Sequence, residues 1–186
     1  MWWILIVVAL VVIIVFWGIS VQRRLVSADE LCGNAMSSIG VQQNTRWDAL
    51  TALADLVKGY NEHEYKTLMD VIAQRRPVDG KTTAKDAQQQ ENILTDAMNK
   101  FVAVAEQYPD LKANDMYKNT MDGVKQYEEN VRLARMTYND TCTKFNRMIR
   151  MFPDSIIAGM LGFKTKDYLQ TEEAKKEMPS MDTSAK

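Results

Sequence analysis

The chain has 186 residues, 46% of them hydrophobic, and its 23 basic and 24 acidic side chains leave a formal net charge of -1. That balance offers no basic surplus to neutralise a phosphate backbone, so nucleic-acid binding is not expected. Two cysteines exclude a disulfide framework on number alone.

Residues 1–19 carry no charged side chain. As a helix they would extend roughly 28 Å, close to the hydrocarbon thickness of a bilayer. A cleaved signal peptide would need a positive n-region, a shorter apolar core and a small-residue cleavage site, and none of the three is present. Trp2, Trp3 and Trp17 stand where interfacial aromatics stand, and Arg23 and Arg24 follow the apolar run. A retained transmembrane anchor over residues 1–21 is therefore expected, with the lipid bilayer as its first partner. Because the positive charges flank only its C-terminal side, the positive-inside rule puts the N-terminus outside a cell (inner) membrane and the remainder in the cytoplasm. In that reducing compartment Cys32 and Cys142 would remain thiols.

Residues 22–170 suffice for one domain with a core, and almost no strand pattern occurs in them. The fold class expected is all-α: a single N-terminal transmembrane helix followed by an antiparallel bundle of long helices. The first helix should leave the membrane without interruption, passing through residues 42–45, where no Gly or Pro breaks it, and stopping near Arg76-Pro77. A loop from Pro77 leads to a second helix over residues 84–107, closed by Tyr108-Pro109. A third starts at Asn114 or Asp115, both suitable N-caps, and ends at Phe152-Pro153. Its seam runs through Tyr117, Met121, Val124, Glu128, Val131, Arg135, Tyr138, Cys142, Phe145, Ile149 and Phe152. Glu128 and Arg135 are the ionic positions there, and the first helix carries Gln42, Arg46 and Glu64 on its own stripe. Unpaired, a buried charge costs several kcal/mol, so these five residues are expected to form a polar network that fixes helix register. Snorkelling to the surface and a binding or conducting site are the competing readings.

Residues 156–163 form a short apolar segment that either caps the bundle or touches a membrane or partner. Residues 171–186 turn charged, then small and polar, and read as a disordered tail. Catalytic patterns are missing. His63-Glu64 resembles the start of a zinc-protease helix, but residue 67 is Thr and the chain has no second histidine. Adjacent carboxylates such as Asp29-Glu30 point in different directions on a helix and cannot share a substrate. Neither a cofactor, a metal site nor a small-molecule substrate is expected, and the reading is non-enzymatic.

Arg46-Trp47-Asp48, Leu53, Val57-Lys58-Gly59-Tyr60, His63-Glu64 and Thr67-Leu68 together resemble the core motif of the LemA family of bacterial membrane proteins. The run from Glu106-Gln107-Tyr108-Pro109 to Asn114 is similar to that family's central turn. Glu128, Arg135, Tyr138-Asn139, Asn146, Phe152-Pro153, Ile157-Ala158-Gly159 and Gly162-Phe163 follow in the family's order. The resemblance implies a single-pass protein with its N-terminus outside and an antiparallel helical bundle; it brings no catalytic residue, cofactor or substrate. Thr51 stands where members usually carry proline, so a straighter first helix is expected here.

Two functions follow as expectations. A first helix unbroken from Leu25 to about Gln74 would reach roughly 75 Å from the membrane, twice the length of the second. Leu25, Cys32, Ala35 and Ile39 would then lack a partner within the chain, making them a candidate self-association stripe. On this reading the protein is a membrane-anchored scaffold or adaptor that binds its own copies or other membrane proteins. The alternative is a lipid-contacting, membrane-organising protein using residues 156–163. With a continuous first helix that segment should end up far from the bilayer; a break at residues 42–45 would return it.

Overall fold

A computed structural model describes residues 1–169; the expected tail at 171–186 lies outside them. The described residues contain six helices and no strand. They are α1 (Trp2–Val57), α2 (Glu62–Ile72), α3 (Ala84–Gln107), α4 (Pro109–Ala113), α5 (Asp115–Arg150) and α6 (Asp154–Met160). The 56 residues of α1 correspond to about 84 Å of helix. Its first third is apolar enough to cross a bilayer, with a mean hydropathy of 3.2 over the strongest 18-residue window, and the rest of the chain covers almost none of it.

As expected, α1 passes through residues 42–45 unbroken. It does not continue to residue 74, however. Gly59 lies in the turn after Val57, and Asn61 caps α2 by accepting hydrogen bonds from the backbone N–H groups of His63 (2.9 Å) and Glu64 (3.2 Å). The carboxylates of Glu62 and Glu64 lie in the first turn, where they complement the positive end of the helix dipole. From there the chain runs back along α1. Arg75 bonds Asp48 at 2.7 Å. Further on, the backbone of Val78 and Gly80 presses onto Gly40 and Gly33, where a Cβ on Gly40 would overlap the Val78 carbonyl oxygen. Glycine is required there because two backbones meet, not because of its dihedral freedom.

Thr83 caps α3, accepting from Asp86 N–H while donating to its carboxylate. Both ends of α3 fall where the sequence predicts them. Asn114 caps α5, which returns antiparallel to α1. The descent through α2 and the 73–83 loop supplies an extra pass toward the apolar end of α1 without any break at 42–45. As a result, α5 ends beside the apolar end of α1, and α6 lies there, not at the far end.

The core has two principal parts. Far from the span, Trp47, Leu50, Leu53, Leu68, Leu94, Phe101, Leu111 and Val124 bring α1 through α5 together. Nearer the span, Cys32, Met36 and Ile39 of α1 meet Tyr138, Cys142 and Phe145 of α5, with Val78, Ala87 and Leu169 at the edges. A small third cluster joins Val21 and Leu25 to Ala158 of α6.

Candidate functional site

Between the two principal core clusters lies a layer of polar side chains. On α1 it falls between Ile39 and Trp47, on α3 between Ala87 and Leu94, and on α5 between Val124 and Tyr138. Arg46 is 3% exposed and pairs with Glu91, itself 7% exposed. Gln43 donates to the other Glu91 oxygen at 2.9 Å and to the Ala87 carbonyl at 3.2 Å. Glu128, largely exposed, reaches Arg46 from α5 at 3.6 Å. Arg135 is buried and donates to Gln88 at 3.4 Å. A buried Arg–carboxylate pair of this kind is a weak source of net stability but a strong register lock, because any slip strands a charge.

Of the five residues expected in this network, Arg46 and Glu128 pair with each other, and Arg135 lies in the same layer, bonded to Gln88. Gln42 is only half-buried, and its neighbour Gln43 turns inward instead. Glu64 lies in α2 beyond the break, where the helix turns away, so it meets none of the other four. The main carboxylate, Glu91, was missed; its position between Ala87 and Leu94 on the buried face of α3 is the signal that could have found it.

The proposed self-association stripe requires correction. Leu25, Cys32, Ala35 and Ile39 are all buried within the chain, against α5, α6 and the 78–87 region. The earlier end of α1 frees α5 to cover this stripe. Burial pushes the Cys32 thiol up to about 12, and it also raises Cys142 and the Tyr138 hydroxyl. These thiols are poor nucleophiles near neutral pH.

At the membrane-proximal end, a Cβ on Gly18 would lie 3.8 Å from Ile157 Cδ1, so α6 rests against the last turn of the apolar run. Trp17 joins that contact, whereas Trp2 and Trp3 are exposed at the other end of the run. Arg24 pairs with Asp154 at 3.3 Å, and Arg23 is exposed. The outer face of this corner is apolar: Phe152 is 80% exposed and Met160 79%, with Met151, Ile156 and Leu161 also open.

Gly162, at φ 76°, then turns the chain back up the bundle. Phe163 stacks edge-on to Phe145. Residues 164–169 lie extended along α1 and α5, held by two asparagines one heptad apart. Asn146 accepts from Lys166 N–H at 2.8 Å and donates to the Lys166 carbonyl at 2.9 Å. Asn139 does the same with Leu169, both bonds at 2.9 Å. Tyr138 donates to the Asp167 carbonyl at 3.1 Å, and Lys166 pairs with Asp29 of α1 at 2.8 Å.

A long helix with one apolar, span-length end and an antiparallel bundle folded back onto it define a membrane-associated helical-bundle protein. A profile of the LemA family matches residues 35–182. The chain belongs to the LemA family. It is 28% identical over 156 residues to Protein LemA of Metamycoplasma hominis, covering 81% of this chain and 68% of that one. It is also 32% identical over 78 residues to Magnetosome protein MamQ 2 of Paramagnetospirillum magneticum, and 28% over 78 residues to Magnetosome protein MamQ of Magnetospirillum gryphiswaldense. Those two matches cover 42% of this chain and 29% of each magnetosome protein.

Proposed function

We propose that this protein is a non-enzymatic scaffold or adaptor, anchored by residues 1–21, whose bundle is seated on the bilayer surface through α6. The observation that carries this reading is the apolar corner. Phe152, Ile156 and Met160 face outward at the level where α1 leaves its apolar run, and Trp17 lies beside them. Exposed apolar side chains gathered at the depth of a bilayer interface are stabilised by insertion between headgroups. With Arg23 and Arg24 flanking the span, the bundle lies on the cytoplasmic side and the N-terminus outside. The polar layer supports a structural role: its main ion pair is closed inside the bundle, where it holds helix register. Contacts between copies, if the scaffold self-associates, use the span or exposed faces, since the stripe at Leu25 to Ile39 is covered.

The test is a spin label at Met160→Cys in full-length protein in nanodiscs; the native thiols, being buried, stay unlabelled. Oxygen should relax the label more strongly than a water-soluble nickel complex, as at an interfacial depth. Water-like accessibility there, matching a label at Lys85→Cys, would overturn the seating on the membrane.

A further inference from the structure

The contacts to residues 164–169 form a recognition pattern. Asn139 and Asn146 read chiefly the main chain, each binding both the N–H and the C=O of one residue, and Asn146 also donates to the Tyr168 hydroxyl at 3.3 Å. Seven helical residues advance about 10.5 Å, and three extended residues advance about 10 Å. The two asparagines are therefore spaced to grip any extended chain at every third residue. Side-chain requirements are few: a cation at the Asn146 step, answered by Asp29, a hydroxyl two residues on that accepts from Asn146, and an aliphatic group three residues on, where Leu169 is 3% exposed. The bound segment also has a direction. It starts at the membrane corner and runs away from the bilayer, antiparallel to α5. Its cation sits beside Asp29, ten residues or about 15 Å of helix beyond Ile19.

We propose that this groove between α1 and α5 is a recognition site for the extended juxtamembrane segment of another membrane protein, and that residues 164–169 are its resident competitor. A chain emerging from the C-terminal end of a transmembrane helix on the bundle's side travels in the required direction. It carries the flanking basic residues that the positive-inside rule places there, and it meets the groove at the right height. A tethered cis segment competes at an effective concentration in the millimolar range, so the site opens when the resident segment is displaced or weakened. The height argument rests on the membrane-seated reading above; the groove itself does not.

The test uses the full-length chain in phosphatidylcholine nanodiscs, with a fluorescent peptide of residues 162–169 as probe, either free or fused to the C-terminal end of a Leu/Ala transmembrane helix. Leu169→Asp weakens the resident segment without touching the groove. The free peptide should bind this variant about tenfold more tightly than the wild type, which retains its competitor. Replacing Asn139 and Asn146 with Ala in the same background should remove binding while helicity is retained. The fused probe should bind more tightly than the free one. In wild-type protein, excess peptide should speed hydrogen exchange at Lys166 and Leu169, an arm that stands even if Leu169→Asp fails to fold. No free-peptide binding, or binding that survives loss of both asparagines, overturns the groove. Free binding with no gain from fusion overturns the juxtamembrane partner, as does exchange of residues 164–169 between labelled full-length copies that the probe fails to displace.

Discussion

The α1–α5 pair is common to both ends of the bundle, but its third layer is not. Away from the membrane the layer is α3 with α2 and α4, whose Phe101, Leu94 and Leu111 interlock with Trp47 and Leu53. Near the span it is α6 and an extended segment held by two asparagine side chains on backbone, the Lys166–Asp29 ion pair and the packing of Phe163 and Leu169. Close-packed aliphatic and aromatic side chains leave no way to separate the layers without opening cavities. Side-chain-to-backbone hydrogen bonds exchange readily with water or another chain, because each contributes only about 1 kcal/mol net. On the proposed recognition of a juxtamembrane segment, the distal half stays closed while residues 164–169 of the proximal half are displaced.

The largest expected effect breaks the distal half. Phe101→Ala should cost about 3–5 kcal/mol by cavity formation at a fully buried site, and in urea titration it should lower the midpoint for the whole bundle. A result below 1 kcal/mol would mean that the two halves are held alike. Next comes the boundary between them. Glu91→Gln leaves the buried Arg46 with the exposed Glu128, at 3.6 Å, as its only carboxylate, and should cost about 3 kcal/mol. Replacing Gln43, Arg46 and Glu91 together by apolar residues should restore stability, with loss of helix register visible as broadened amide spectra.

The smallest effect is confined to the proximal half. Cys32, Cys142 and Tyr138 all hold their protons more tightly folded than unfolded. Their contribution is complete below the ordinary thiol range, about pH 8.5, and is lost as pH climbs toward the Cys32 value of about 12. In an alkaline titration, thiol labelling should therefore rise before ellipticity falls. Simultaneous loss of both would erase the distinction between the halves.

Much of this architecture was legible from local chemistry. The apolar run, the Asn114 cap, and the proline stops place the span, α3 and α5. Arg46, Glu128 and Arg135 were legible as charges on apolar seams. The break after Val57 was harder to read, because neither Gly59 nor Asn61 ends a helix on its own; together with Glu62 and Glu64 they form a stop and a restart. That one turn changed the number of passes, which moved α6 beside the apolar end of α1 and buried the supposed docking stripe. Glu91 and the asparagine grips depend on which faces meet across α1, α3 and α5, information that a single helix's periodicity does not hold.

Because α1 runs unbroken from Trp2 to Val57, the apolar run and the polar layer share one continuous helix. One residue added within the apolar run would rotate the tryptophans by about 100° relative to Arg46 and raise the bundle by about 1.5 Å. On the proposed anchoring, bilayer thickness becomes a mechanical input: a thinner membrane favours tilt of α1, and α6 and the layer that joins the two cores sit on that same helix.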